Sequence, residues 1–152
     1  MDTQVNQDFT TTLLVDQTPS EVFNAVNNVR GWWSKDDIKG ETDHLGAEFI
    51  FRHEFDHVVH HSDMKIVEFV PDTRVVWLVT YSFLNFVKDT KEWTDTRVRF
   101  DISRQEGKTR LVFTHEGLVP RAECYEVCSP AWTHYVQDSL LQLITTGEGR
   151  PD

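Results

Sequence analysis

Apolar and polar residues alternate through the middle of the chain. From Gly46 to Leu118 the main period is two, which is typical of β-strands that bury one face. The alternating runs are 47–55, 75–81, 94–102 and 111–115. Turn-forming residues separate neighbouring runs at 71–73 and 105–108. Because short turns join long strands, the pattern predicts an antiparallel sheet.

A helix is predicted directly after the first strand. Phe9 to Val15 is rich in β-branched residues and predicts that strand. Thr18 then has the position of an N-cap, Pro19 the first helical position, and Glu21 completes a capping box. Apolar residues recur at helical spacing until about residue 30. The polar stretch 35–41 predicts a loop.

A long helix is predicted near the end of the sequence. Ser129 is its expected N-cap, Pro130 its first residue, and Gly147 follows its last turn. About 17 residues span roughly 25 Å, enough to cross most of a sheet. Its wide apolar stripe contains Trp132, Tyr135, Val136, Leu140, Leu143 and Ile144. The prediction is therefore an α+β fold in which an antiparallel sheet curls around this helix.

The predicted inward face of the sheet mixes polar and aromatic residues. Each unpaired polar group in a packed core costs roughly 1–3 kcal/mol, so a ligand cavity explains the mixture better than a solid core does. We expect the cavity to be lined by Phe49, Phe51, His53, Trp77, Tyr81, Thr96, Val98, Phe113, His115, Trp132 and Tyr135. Two competing interpretations are that His115 bonds a neighbour in a packed core and that Trp132 is an ordinary core residue. Trp32 and Trp33 could form a cavity rim or a hook over the sheet edge.

Composition narrows the class of protein. The 152 residues predict a single domain, 1–152, with its core at about 8–147. The net charge of −10 argues against nucleic-acid and anionic-membrane partners, which need clustered Lys and Arg. No apolar run reaches the roughly 18 residues of a membrane span, and the first residues do not resemble a signal peptide. We expect a cytoplasmic protein.

Few residues suggest cofactor or metal chemistry. Cys124 and Cys128 are the two cysteines, and their spacing excludes a C-x-x-C redox pair. Reduced thiols are the expectation, because two cysteines do not make a disulfide framework. Phosphate-binding, dinucleotide-binding and hydrolase motifs are absent from the sequence, so no cofactor is expected. The acidic pairs Asp36–Asp37 and Glu123–Glu126 are predicted to be solvated.

The segment HEFDHVVHH, 53–61, matches the zinc-protease pattern H-E-x-x-H. That pattern requires a helix, where His53 and His57 would lie about 6 Å apart. The alternation continues straight into His53, and on a strand the same residues would lie about 13 Å apart. One zinc ion cannot bridge that distance. The prediction is a solvated, histidine-rich hairpin end containing His57, His60 and His61, with no metal.

Several segments together resemble the START-like, helix-grip (SRPBCC) superfamily. Within it, the chain is similar to single-domain proteins like the C-terminal domain of the activator of the heat-shock-protein-90 ATPase. The matching segments are 18–25, 31–33, 108–118 and 132–147. The resemblance implies about seven curved antiparallel strands, a long C-terminal helix and two short helices after the first strand. It also implies a deep hydrophobic cavity between sheet and helix.

Three functions follow as hypotheses. The first is binding of a small hydrophobic molecule, a lipid, sterol or polyketide-like ligand, in that cavity. The second is a cyclase or hydrolase of the same fold, with His115, His53 and Tyr81 as acid–base groups. The third is a chaperone-regulating protein-interaction domain, although we expect no room for the separate N-terminal domain that contributes to chaperone binding in the eukaryotic activators. Its expected exposed patch contains Trp32, Trp33, Leu84, Phe86 and Val87.

Overall fold

The computed structural model describes residues 7–152. One seven-stranded antiparallel sheet has the strand order β1-β7-β6-β5-β4-β3-β2. The strands are β1 Phe9–Val15, β2 Ile38–Gly40, β3 Glu48–Phe55, β4 Val58–Val70, β5 Arg74–Leu84, β6 Arg97–Gln105 and β7 Lys108–Glu116. The helices are α1 Pro19–Asn27, α2 Val29–Trp32, α3 Tyr125–His134 and α4 Leu141–Thr146, with a π-helical segment Tyr135–Leu140 between the last two.

This architecture confirms the predicted α+β fold. The sheet is curved and open, the long C-terminal helix packs on it, and two short helices follow the first strand, as the family resemblance implied. The predicted loop at 35–41 is wrong in part, because β2 lies there and pairs with β3. None of the helices within 7–152 is long and apolar enough to cross a membrane.

The first helix forms for the predicted reason. The backbone N–H of Glu21 donates to the Thr18 hydroxyl at 3.1 Å, and the backbone N–H of Thr18 donates to the Glu21 carboxylate at 3.3 Å. This capping box satisfies two N–H groups that the helix itself cannot pair. Val22 and Val26 are fully buried on the inner face of α1, which packs against β6, β7 and α4.

The C-terminal helix begins earlier than predicted. It starts at Tyr125, and Pro130 lies inside it rather than at its first position. The Glu92 carboxylate, from the β5–β6 connection, accepts the backbone N–H groups of Glu123 and Cys124 at 2.8 and 2.9 Å. A cap supplied by a distant segment leaves no local sequence pattern. The predicted end is confirmed, because Gly147 adopts a left-handed conformation with φ of 87°.

An extra residue in β5 reverses which side chains point inward. Asp63 pairs with Tyr81, but the next residue, Met64, pairs with Val79, so Thr80 has no partner of its own. Such a β-bulge shifts the alternation by one position. Tyr81 is therefore 39% exposed on the outer face, while Ser82 is buried. The predicted inward placement of Tyr81 is wrong for this reason.

Tryptophan side chains fill the space between the sheet and the helices. Trp32 stacks on Trp77 with ring centroids 6.2 Å apart, and its Nε1–H donates to the Val26 carbonyl at 3.1 Å. Trp33 stacks on Phe51 at 4.3 Å. Trp32 and Trp33 are thus core residues, and the exposed patch predicted to include them and Leu84 does not form.

The cap that Glu92 provides gives a stability prediction. Glu92→Ala should lower the free energy of unfolding by about 1–2 kcal/mol, because two N–H groups at the start of α3 lose their acceptor. Urea unfolding followed by circular dichroism measures the change. Glu126→Ala is the matched control: Glu126 is exposed in the same first turn, and its change should stay within about 0.5 kcal/mol. Equal losses in both variants would contradict the capping role.

Candidate functional site

A cavity of about 110 Å³ lies where the C-terminal helix meets the β3–β4 hairpin and the β5–β6 connection. Its walls are mainly aromatic. The aromatic residues are Trp33, Phe51, Phe86, Trp93, Trp132 and Tyr135, and the others are His53, His60, Val127, Cys128 and Ala131. An apolar enclosure with a few polar groups is the usual composition of a small-molecule site.

The cavity is much smaller than the deep one implied by the family resemblance. Ligand sites usually enclose about 300–1,000 Å³, whereas an apolar cavity of about 150 Å³ takes a molecule the size of benzene. This volume therefore suits a small molecule or one end of a longer one. A wider cleft of about 370 Å³ beside α1 is lined mainly by polar residues, including Asn24, Arg30 and Asp43.

Four residues predicted to bind ligand lie in the cavity wall. They are Phe51, His53, Trp132 and Tyr135. Phe49, Trp77, Val98, Phe113 and His115 are instead buried in the core outside this wall, Thr96 is half-buried outside it, and Tyr81 faces outward. Sequence reasoning missed His60, Phe86, Trp93, Val127, Cys128 and Ala131 as wall residues. Trp93 and Phe86 belong to a turn-rich segment without periodicity, so no pattern could have revealed them.

His115 has a partner for each ring nitrogen. The Trp132 indole N–H donates to His115 Nδ1 at 3.1 Å, which fixes the proton on Nε2. His115 Nε2–H then donates to the Thr96 hydroxyl at 2.9 Å, and that hydroxyl donates to the Trp93 carbonyl at 2.6 Å. Burial lowers the pKa of His115 to about 3, with the nearby His60 adding to the effect. This is the packed-core arrangement that competed with the ligand-binding hypothesis.

His60 lines the cavity, and its ring nitrogen Nε2 has no hydrogen-bond partner among the described residues. It packs edge-to-face against Phe51 and Trp93, with ring centroids 5.0 and 4.6 Å away. Burial lowers its pKa to about 3, and His53 and His61 reinforce the shift. The predicted solvated position is therefore wrong for His60. Within the described chain, His60 Nε2 and the nearby Trp93 Nε1 are both buried without a hydrogen-bond partner.

The H-E-x-x-H segment forms a hairpin, as predicted. Strand β3 includes His53 and ends at Phe55, and Asp56 and His57 form a two-residue turn with φ of 50° and 67°. Two positive φ values are typical of a type I′ hairpin turn. His53 pairs with His60 across β3 and β4. Within residues 7–152, no group of three or more His, Cys, Asp or Glu is placed to hold a metal ion.

Two ionisable pairs surround the cavity opening. His53 Nδ1 donates to the Asp37 carboxylate at 2.8 Å, which holds the imidazole in one orientation and leaves Nε2 free. The Tyr135 hydroxyl donates to the Asp152 carboxylate. Burial, followed by this hydrogen bond and the Asp152 charge, raises the pKa of Tyr135. Asp152 is held in place by backbone hydrogen bonds with Trp33 and Lys35.

Two carboxylates link the segment between β5 and β6 to the start of the C-terminal helix, beside the cavity. Glu92 caps α3, as described above, and the Glu123 carboxylate accepts the backbone N–H groups of Lys88 and Asp89, both at 3.0 Å. These bonds lower the pKa of Glu123. Glu123 is exposed, as the sequence predicted, and it also bridges two segments. The reciprocal caps hold Phe86 and Trp93 against the C-terminal helix.

The cysteines lie beside the same cavity. The Cys124 and Cys128 side chains are in contact, with Cα atoms 5.5 Å apart. A separation of four residues on a helix places both side chains on one face, which explains their contact. Both residues are buried, and Cys128 lies in the cavity wall.

A family model matches most of the chain. The family is described as Activator of Hsp90 ATPase homolog 1-like protein, and the match covers residues 16–145. A comparison with curated proteins gave no match.

Solved structures show the same fold at low sequence identity. The Aha1 dimer from Colwellia psychrerythraea has a TM-score of 0.72 and 20% identity, over 94% of this chain and 99% of that one. Mll3558 from Rhizobium loti has a TM-score of 0.69 and 17% identity, over 91% and 96%. DynU16, from the dynemicin biosynthetic locus, has a TM-score of 0.63 and 16% identity, over 93% of this chain and 48% of that one.

His60 and His115 predict that the stability of the fold decreases in acid. Their pKa values are lowered to about 3 in the folded protein and are near 6.5 when unfolded. The unfolded chain binds more protons between these values, so stability is complete above about pH 6.5 and falls as the pH drops towards 3. Urea unfolding should show a loss of about 2 kcal/mol per histidine between pH 7 and pH 5.

Variants separate these histidines from other acid effects. His60→Phe removes one of the two titrating groups, so its stability should fall about half as much between pH 7 and pH 5 as that of the wild type. His57→Gln, in the exposed hairpin turn, should keep the full dependence. An unchanged pH dependence in His60→Phe would contradict the assignment.

Proposed function

This chain belongs to the family of Activator of Hsp90 ATPase homolog 1-like proteins, and we propose that it binds a small apolar ligand between its sheet and its C-terminal helix. The observation that carries the proposal is the 110 Å³ cavity with six aromatic walls and two buried polar atoms that lack partners. Aromatic walls favour an apolar ring, since each buried apolar Å² contributes about 25 cal/mol. The two unpaired atoms, His60 Nε2 and Trp93 Nε1, would orient this ring through hydrogen bonds.

The volume of the cavity is too small for some of the ligand classes that the sequence suggested. A whole sterol or lipid needs far more space than 110 Å³. A single ring, or the ring end of a polyketide-like molecule, fits better. Val127 is 60% exposed, and Ala131 is also exposed beside the cavity, so a longer ligand would extend past these residues. The fold similarity to DynU16, from a biosynthetic locus, supports a small-molecule role.

Chaperone regulation, which the family description suggests, has less support from the surface. Trp32, Trp33 and Leu84, predicted to form a partner patch, are buried. Phe86 and Val87 are only partly exposed and pack against the core. The exposed aromatic side chain nearest the hairpin turn is Phe55, which is 73% exposed. Phe55 and its cross-strand partner Val58, which is 47% exposed, form a small surface for specific association.

One observation favours an enzyme as a second candidate. The Asp37–His53 pair lies at the cavity opening, and a carboxylate that orients a histidine in this way prepares its other nitrogen to accept a proton. The test is mass analysis of a ligand after incubation with the protein. Conversion by the wild type that is lost in His53→Gln would support acid–base catalysis, and an unchanged ligand would contradict it.

Filling the cavity tests the ligand-binding proposal. Ala131→Trp places an indole at the opening, and Thr133→Trp places one on the same helix outside the wall residues. Both positions are exposed, so we expect both variants to fold. Native mass spectrometry of each protein as isolated, followed by denaturation, would identify a released molecule. The released molecule should be found with the wild type and with Thr133→Trp. Ala131→Trp should retain at least about tenfold less of it.

Two results would contradict the proposal. One is equal retention of the molecule by Ala131→Trp, which would place its site elsewhere. The other is a bare polypeptide mass for the wild type together with no detectable binding of toluene, an apolar probe of about the size of the cavity.

A further inference from the structure

We infer that His60 and Trp93 form a polar anchor that selects a neutral ligand ring carrying a hydroxyl group. The inference rests on the proposed function, since it names the chemistry of the molecule that the cavity would take. Two observations carry it. Both residues lie in the cavity wall, and His60 Nε2 and Trp93 Nε1 are buried without hydrogen-bond partners.

Unpartnered polar atoms are costly in a packed interior. A buried donor or acceptor without a partner loses its hydration without compensation, and contact with the face of a neighbouring ring offsets only part of that loss. Other buried atoms of the described chain also lack partners, such as Trp77 Nε1 and Ser62 Oγ, but those residues are not in this wall. Of the residues with such atoms, His60 and Trp93 are the two that line this cavity.

The two atoms require a particular partner. The Trp93 indole nitrogen can only donate a hydrogen bond, whereas a neutral imidazole offers one donor and one acceptor nitrogen. The rings lie edge-to-face with centroids 4.6 Å apart and both line the cavity, so we place one small group of the ligand against both. A hydroxyl group accepts from the indole N–H and donates to a free imidazole nitrogen. A hydrocarbon ring satisfies neither atom.

Charged ligands are disfavoured for separate reasons. Among the described residues, no Lys or Arg lies in the cavity wall, and the net charge of the chain is −10, so a carboxylate would be buried without a cation. A quaternary ammonium suits aromatic walls, but it has no lone pair to accept the Trp93 N–H. The arrangement therefore favours a neutral phenol-like molecule over either ion.

Four probes of similar size test this preference: p-cresol, toluene, 4-methylbenzoate and tetramethylammonium. Their affinities at pH 7 can be measured by ligand-detected NMR on the full chain. p-Cresol should bind at least about tenfold more tightly than toluene, because only p-cresol satisfies the unpaired atoms. It should also shift the ¹⁵N resonances of His60 Nε2 and Trp93 Nε1. 4-Methylbenzoate should bind more weakly than toluene, and tetramethylammonium should bind more weakly than p-cresol.

A variant and its control locate the preference. His60→Phe keeps a ring of similar size without nitrogen atoms, so it should bind toluene and lose the tenfold preference for p-cresol. His61→Phe is the matched control, because His61 is the next residue on β4 and bonds to Asp63 outside the cavity. It should keep the wild-type preference. The ¹⁵N shifts in the wild type remain a test if His60→Phe does not fold.

The outcomes distinguish this inference from the proposed function. The inference is wrong if p-cresol and toluene bind equally, or if either ion binds more tightly than p-cresol. Either result still supports a ligand cavity. Retention of the preference in His60→Phe, without ¹⁵N shifts in the wild type, also overturns it. Failure of all four probes to bind counts against the proposed function itself.

Discussion

Close packing of tryptophans between the sheet and the C-terminal helix is the interaction on which the rest of the structure depends. Trp33 lies at its centre, within 5.9 Å of Trp77 and 5.1 Å of Trp132 between ring centroids. Large aromatic rings bury much apolar surface and tolerate little change in shape. They fill the interior that a deep ligand cavity would occupy, and they leave a small opening at one end of the helix.

His60 and His115 differ in how this packing surrounds them. His115 has a partner on each nitrogen and lies behind Trp132. His60 has the same lowered pKa but borders the cavity and lacks a partner for Nε2. A complete hydrogen-bond network fixes a core, whereas an incomplete one beside an open space has the chemistry of a binding site. His115 is therefore a core residue, whereas His60, which is half-buried, is our proposed ligand contact.

Much of the fold could be predicted because its causes are local. The capping box at Thr18 and the alternation in β3 as far as Phe51 act over a few residues, and both predictions were confirmed. The start of α3 could not be predicted, because its cap is Glu92, more than thirty residues away. Tyr81 was misplaced because a bulge opposite Asp63 is invisible in one strand alone. The cavity was only partly predicted, because Trp93 and Phe86 reach it through the same long-range caps.

A crystal structure of the protein grown with 4-bromophenol tests the central claim most directly, because anomalous scattering locates the bromine atom without ambiguity. Our account predicts the ring in the cavity against Phe51, Trp93 and Trp132, with its hydroxyl oxygen within hydrogen-bond distance of His60 Nε2. A bromine peak elsewhere on the protein, with the aromatic cavity empty or closed by its own side chains, would contradict it.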